Sequence, residues 1–315
     1  MEKILVTGSE GLVGKYLCAL MKKRGIEVVE FDINAIGVKF GDVRDSSHIR
    51  QAITGVTGII HLAAVSRVVW GEQDPENCWN TNVVGCRNIL EAAESCDTKP
   101  WILFSSSREV YGNVKIPAIE SLPYNPKSVY GKTKVEGEKL FLNARKIGLT
   151  TGIVRLSNVY GSAADHSDRV IPAFVKAAIC NQPICIDSPE SKYDFTHVSD
   201  AAMGIYLYAM LLAKGMHLAP IHLLTGKSTS LEDLATQVIN LLDSRSKKVK
   251  GVARTYGAGV FSGSNFNAKH ILGWQPKIIL DVGILELAEQ LRLNKTSFCD
   301  DSMSEYNRAI YDMAE

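Results

Sequence analysis

Lys3-Ile4-Leu5-Val6-Thr7-Gly8-Ser9-Glu10-Gly11-Leu12-Val13-Gly14 is a short apolar run, then glycines at steps of three, then a helical pattern that continues through Leu17, Leu20 and Met21. A run this apolar suits a parallel strand buried on both faces, and the glycines let the chain turn sharply into a helix. The first N–H groups of a helix have no carbonyl partners, so this turn offers them to a phosphate. A second run, Glu27-Val28-Val29-Glu30-Phe31, ends at Asp32, about where an acid meets a ribose hydroxyl in a dinucleotide site. Asp32 favours NAD over NADP, because a 2′-phosphate would face a carboxylate and no Arg or Lys immediately follows to compensate. Gly8, Gly11, Leu12, Val13, Gly14 and Asp32 are therefore the expected start of a cofactor site.

Working outward, short apolar strands alternate with helices as far as Gly161, which predicts a parallel sheet covered on both faces. The strand candidates are Ile4 to Thr7, Glu27 to Asp32, Gly58 to Leu62, Trp101 to Ser105 and Thr151 to Leu156. Beyond Gly161 the pattern changes to loops such as Ser188-Pro189-Glu190-Ser191 and helices over Ser230 to Asp243 and Leu280 to Arg292. The 315 residues are 46% hydrophobic, enough for one large core or two coupled ones. A formal charge of +1 gives no electrostatic case for nucleic acid or an anionic membrane. The basic stretch Arg245 to Lys250 lacks interleaved aromatics and reads as a solvated loop. With no long apolar run and a first strand beginning near Met1, a cytoplasmic protein without a signal peptide is expected. Seven cysteines without a Cys-x-x-Cys pair suit a reducing compartment and argue against a zinc site, and Cys180 and Cys185 read as small core residues.

Ser128-Val129-Tyr130-Gly131-Lys132-Thr133-Lys134 places a phenol and an ammonium four residues apart, on one face of a helix. In that arrangement Lys134 can lie beneath Tyr130 and hold its hydroxyl in a reactive state, which is the equipment of a redox catalyst that moves a proton.

The glycine turn and Tyr-x-x-x-Lys, in this order, resemble the extended short-chain dehydrogenase/reductase family, and within it the NAD-dependent sugar epimerase/dehydratase branch. Further stretches carry the resemblance over nearly the whole chain. They are Gly41-Asp42-Val43-Arg44-Asp45, His61-Leu62-Ala63-Ala64, Asn82-Val83-Val84-Gly85, Phe104-Ser105-Ser106-Ser107-Arg108-Glu109-Val110-Tyr111-Gly112, Arg155 to Gly161, Asp194 to Val198 and Leu272-Gly273-Trp274-Gln275-Pro276. The fold it implies is a doubly wound, Rossmann-like α/β sheet with a smaller, discontinuous α/β substrate domain. The implied division is residues 1–161 with about 194–224 for the cofactor, about 162–193 with 225–293 for the substrate, and a C-terminal extension over 294–315. Segments Asp200 to Leu212 and Ile221 to Leu224 complete the cofactor domain in this scheme.

The resemblance also assigns roles. It places Asp42 and Val43 near the adenine, and Leu62, Ala63, Ala64, Asn82 and Ser105 beside the cofactor. Ser107 holds a substrate alcohol, Tyr130 takes its proton, and Lys134 meets the nicotinamide ribose and lowers the phenol's pKa. Glu109 matches a base on the carbon next to the new carbonyl in dehydratase and decarboxylase relatives; its other reading is a structural ion pair with Arg108 or Arg67. Two departures bear on substrate and reaction. Arg108 stands where glucose dehydratases carry an aspartate acid, and a guanidinium cannot donate that proton. Tyr193, beside Lys192, stands where branch members commonly use an arginine for the nucleotide pyrophosphate, leaving Asn158 and Arg254 to supply that contact. Arg67 lies with Trp70 and Glu72 on a loop bordering the substrate, and Arg67 and Arg108 as a pair suit the carboxylate of an acidic sugar. The expected activity is epimerisation or dehydration of a nucleotide sugar through a 4-keto intermediate. A 4-keto-sugar reductase, an enzyme of a non-nucleotide alcohol and a non-enzymatic cofactor-binding protein are the other readings. A homodimer is implied through Asn82 to Glu94 and Val129 to Ala144, whose apolar faces are expected to be exposed, and Tyr306 to Met313 has the spacing of a short docked helix.

Overall fold

The computed structural model describes residues 2–114, 116–251 and 259–293. Strands β1 (Lys3–Thr7), β2 (Glu27–Phe31), β3 (Gly58–His61), β4 (Trp101–Ser107), β5 (Thr151–Leu156) and β9 (Ile221–Leu223) form one sheet in the order β2-β1-β3-β4-β5-β9. Each pairing in it is parallel. The order reverses between β1 and β3, and in open α/β sheets the crevice at such a switch, beyond the strands' carboxyl ends, is where ligands bind. Thr7, His61 and Ser107 all end strands at that edge.

Helices cover both faces, and the sequence pattern explains why. On one face α1 (Leu12–Lys23) and α8 (Val198–Leu212) bury Leu17, Met21, Ile205 and Tyr208 with Ile4, Val6, Leu103 and Val154. On the other, α2 (Ser46–Ala52), α5 (Gly85–Glu94) and α6 (Val129–Lys146) bury Ile49, Ile89 and Phe141 with Leu5, Ile59 and Ile153. Alternate strand residues thus enter opposite cores, as period-two geometry requires. A separate core belongs to the later part of the chain, where Phe174, Ile184, Phe195, Leu234 and Leu287 meet. It is built from β6 (Asn158–Tyr160), β7 (Ile184–Ile186), β8 (Lys192–His197), β10 (Ser228–Ser230) and β11 (Lys248–Lys250), with α7 (Val170–Ile179), α9 (Leu231–Leu241) and α11 (Leu280–Leu293). The short α3 (Val68–Gln73), α4 (Pro75–Trp79) and α10 (Phe266–Leu272) complete the helices of the described residues.

Three expectations are corrected here. The end of the basic stretch is strand β11, which pairs with β7, because its alternation places Val249 opposite Cys185. Cys180 and Cys185 are half-buried, not core. The apolar faces expected to be exposed are at most half-exposed: Leu140 and Leu142 of α6 are half-buried, and the fully exposed positions are Arg87, Glu91 and Glu94 on α5 and Lys132, Lys139, Asn143 and Lys146 on α6. The segment Tyr306 to Met313 lies outside the described residues. No helix among the described residues is long and apolar enough to cross a membrane.

Candidate active site

The turn after β1 is a cradle closed to side chains. Gly8 adopts φ 74°, and a Cβ there would stand 2.7 Å from the Ala63 nitrogen. At Gly14 it would meet the Gly8 carbonyl oxygen at 2.1 Å. Gly11 precedes α1 without a side-chain cap, so the helix N-terminus keeps donors for an anion, and the buried Ser9 hydroxyl beside it has no partner among the described residues. At the end of β2, Asp32 is fixed over this turn by N–H donors from Glu10 (3.0 Å) and Asn34 (2.8 Å), one to each oxygen. Each oxygen retains a lone pair for a further hydroxyl. Lys39, the nearest following lysine, is taken by Glu30 at 2.7 Å. These features fit a dinucleotide whose ribose bears free hydroxyls.

Other expected cofactor residues divide into wall and frame. Leu62 and Ala63 donate their N–H groups to the Thr7 carbonyl (3.1 Å) and hydroxyl (3.3 Å), which holds the strand end with Ala64 against Gly8. Asp42 chelates Arg44 through both carboxylate oxygens, and that pairing holds its carboxyl below the usual range. Val43 is buried against Gly85. Asn82, in a π-helical turn over Asn80–Val84, accepts from the Val65 nitrogen at 2.8 Å and donates to the Val65 carbonyl (3.1 Å) and the Thr133 hydroxyl (2.9 Å). Its amide thereby ties the loop after β3 to α6.

Tyr130 stands in the first turn of α6, whose N-terminus is held twice. Ser128 caps it by accepting from the Gly131 nitrogen (3.0 Å), and Glu72 accepts from the Val129 nitrogen (2.8 Å). Glu72, in α3, thereby positions the start of α6. A Cβ at Gly131 would lie 2.7 Å from the Glu109 carbonyl oxygen, so this glycine lets α6 approach the turn Arg108–Val110 that follows β4. That approach brings the end of β4 at Ser107, whose hydroxyl accepts from the Glu109 nitrogen (3.2 Å), to the first turn of α6.

Lys134 is 3% exposed; it donates to the Ser105 carbonyl at 2.8 Å, and its ammonium stands 4.9 Å from the Phe104 ring centroid and 5.7 Å from that of Tyr130. The phenol and ammonium are thus brought together, but burial governs both. It pushes the phenol up to about 12, with the Ser107 hydrogen bond pulling down and the Glu109 charge pushing up. It pushes the ammonium down to about 8. In the unliganded protein Lys134 does not offset the burial that keeps the phenol protonated. His61, buried beneath with Nδ1 2.7 Å from the Thr7 hydroxyl, is pushed down to about 3 by burial and stays neutral.

The expected arginine pair is not formed as a free clamp. Arg67 is bound to Asp168 (2.7 Å) and Arg108 to Glu109 (2.7 Å). Arg108 further donates through Nε to Asn158 Oδ1 (3.3 Å) and lies over the rings of Tyr193 (5.0 Å) and Phe261 (5.4 Å). Arg108, Glu109, Asn158 and Tyr193 therefore form one wall of the cleft. Arg254 lies outside the described residues.

The part of this region that sequence reading missed lies behind β4. Glu138 and Arg155, 0% and 3% exposed, pair bidentately at 2.8 and 2.6 Å. Ser106 and Tyr124 donate to the same carboxylate, while Arg155 reaches the Glu120 carbonyl and the Tyr111 hydroxyl, itself 2.6 Å from His222 Nε2. The available signal was that Glu138 falls four residues beyond Lys134, one turn further along the same inward face of α6.

Comparisons with known proteins agree with this geometry. A putative UDP-glucose 4-epimerase of Methanocaldococcus jannaschii is 29% identical over 307 residues, spanning 92% of this chain and 99% of the relative. UDP-glucuronic acid decarboxylase 6 of Arabidopsis thaliana is 29% identical over 312 residues, spanning 92% of this chain and 89% of the relative. Among solved structures, UDP-glucose 4-epimerase of Thermus thermophilus in complex with NAD superimposes with a TM-score of 0.82 at 25% identity, covering 92% of this chain and 99% of that one. Residues 4–217 match the model of the NAD dependent epimerase/dehydratase family. With the glycine cradle, Asp32 and the Ser107, Tyr130 and Lys134 group all at one sheet edge, the chain is an enzyme that belongs to that family.

Proposed function

We propose that the protein is an NAD-dependent 4-epimerase of a UDP-sugar. The observation that carries this is the Ser107, Tyr130 and Lys134 group at the carboxyl edge of the parallel sheet, beside a cradle built for a dinucleotide. Bound NAD supplies a hydride acceptor and a positive ring charge. Ser107 orients the C4 hydroxyl and Tyr130, as phenolate, takes its proton while the C4 hydrogen leaves as hydride, which yields a 4-keto sugar. Lys134, anchored on the Ser105 carbonyl, has protons left for the nicotinamide ribose. Return of the hydride to the opposite face, with Tyr130 giving back the proton, completes epimerisation with no net redox change. The nucleotide assignment draws on the named activities of the relatives. Tyr193 and Asn158 form the wall that the sugar meets, and the cleft between the two cores is the proposed binding site.

Epimerisation is favoured over dehydration at this site. Glu109 is bound to Arg108, so the carboxylate that matches the relatives' base is engaged, and Arg108 cannot act as an acid toward a leaving hydroxyl. Purified protein incubated with UDP-glucose, UDP-galactose or UDP-glucuronate is expected to form the 4-epimer without added NADH. Product that forms only with equimolar NADH consumption would establish a reductase instead, and no turnover of any UDP-sugar would remove the nucleotide assignment.

Asp32→Ala is expected to weaken NAD binding by roughly ten- to a hundredfold, since charge-assisted hydrogen bonds contribute about 1.5 to 3 kcal/mol. NADP binding should fall less, or rise, because the carboxylate facing its 2′-phosphate is gone. Calorimetric titration with both nucleotides checks this, and equal losses for the two would contradict the ribose assignment.

A further inference from the structure

The six residues of α3 reach both sides of the cleft between the two cores. At the carboxyl end of this helix Glu72 accepts from the Val129 nitrogen (2.8 Å), and a Cβ added at Gly71 would lie 3.3 Å from the Tyr130 nitrogen and 3.5 Å from the Tyr130 Cβ, which is contact distance. At the other end Arg67, 12% exposed, donates to Asp168 (2.7 Å) and lies over the Trp70 ring (5.0 Å), while Trp70 meets the His166 ring edge-on at 4.8 Å. His166 and Asp168 belong to the loop over residues 162–169, which the second core holds. Ala163 donates to Gln290 of α11 (3.0 Å), Asp165 pairs with Arg169 (3.3 Å), and Arg169 leads into α7. A helix this short has little stability of its own, so its place is set by what holds its two ends.

We infer that α3 is a strut that carries the seating of the 162–169 loop to the first turn of α6, which makes Arg67 and Asp168 positioning residues for Tyr130. When the cores close on a sugar, Asp168 and His166 press on Arg67 and Trp70, and Gly71 and Glu72 hold the backbone of Val129 and Tyr130 in place. When the cores part, that turn loosens. Proton transfer is thereby confined to the closed cleft, from which water is excluded. The consequence for rate rests on the reading of Tyr130 as the acid–base residue; the mechanical coupling does not, and it is read without a substrate.

Hydrogen exchange of the full chain, followed by mass spectrometry on peptides covering residues 128–132, reads the start of α6 directly. Asp168→Ala and Arg67→Ala are each expected to speed exchange there by roughly three- to fivefold, the weight of one partly exposed ion pair. Exchanging the charges, Arg67→Asp with Asp168→Arg, should bring it back toward the parent. Glu72→Gln keeps an acceptor for Val129 and should stay near the parent, whereas Glu72→Val should exceed the Asp168→Ala effect. Asp168→Ala added to Glu72→Val should then speed exchange no further, because a strut cut at one end transmits nothing from the other. In the NAD-loaded enzyme Asp168→Ala should lower kcat by a similar factor with NAD binding unchanged. Unmoved exchange at 128–132 in Asp168→Ala, with the 162–169 loop itself exchanging faster, overturns the inference: Asn82 on Val65 and the packing of Gly71 would then hold α3 unaided. Additive effects in the double variant overturn it equally. Failure of the acid–base reading shows separately, as an undiminished rate in Tyr130→Phe, and leaves the exchange result to decide the coupling.

Discussion

Tyr130→Phe is expected to lower kcat for UDP-sugar epimerisation by about 10²- to 10⁴-fold, the usual contribution of a positioned acid–base group, while NAD binding changes little. In the proposed reaction the phenol accepts the proton, with Lys134 5.7 Å from its ring centroid. Phenylalanine keeps the ring, so the packing of the first turn of α6 and its two caps survive. The sign of the pH dependence follows from the titration. Burial pushes the unliganded phenol up to about 12, so at neutral pH it is protonated and not yet a base. Lys134, although lowered to about 8, still carries its charge at neutral pH, and the positive ring of bound NAD adds to it. The rate should therefore rise with pH through a midpoint well below 12 in the NAD complex, and this rise should vanish in Tyr130→Phe. Steady-state rates across pH, paired with NAD titrations of both proteins, check the prediction. A variant within tenfold of the parent would show that another group takes the proton.

Much of this site was legible because it depends on local periodicity. The buried strands read as continuous apolar runs, and the glycine turn needs only consecutive residues to be recognised. Tyr130 and Lys134 lie one helical turn apart, so their proximity is also a local property. What escaped were contacts made across the sheet or between loops. Nothing near Arg67 in sequence indicates Asp168, which is 101 residues away and takes its guanidinium. Glu72 caps a helix that starts 57 residues later. Pairing of Glu109 with Arg108 was one of two readable alternatives, Arg67 being the other, and the tight turn after β4 selects Arg108. The apolar faces of α5 and α6 read correctly as apolar; their partner proved to be the sheet.

Removing Arg155 is expected to be the most destabilising single change outside the cofactor cradle, at about 3 to 5 kcal/mol, because it strands a buried carboxylate. Glu138 is 0% exposed, and without Arg155 only the Ser106 and Tyr124 hydroxyls remain to hold its charge. The same loss frees the Tyr111 hydroxyl and the Glu120 carbonyl from their shared donor, so β5, α6 and the loop before α6 come apart at one point. The effect should reach the reaction centre through β4. Ser106 binds this network through its hydroxyl, while the carbonyl of its neighbour Ser105 accepts from Lys134, one helical turn before Glu138 on the same face of α6. Arg155→Leu should therefore lose activity even at temperatures where it is folded. Replacing both partners, Glu138→Leu with Arg155→Leu, leaves no buried charge and should recover part of the stability, since apolar pairs of similar volume often match buried ion pairs. Urea denaturation of the two variants and the parent, followed by circular dichroism, separates these cases. A loss under about 1 kcal/mol in Arg155→Leu would mean that Glu138 is neutralised or hydrated by some other route, and the pair would then be a bystander to both stability and the alignment of β4.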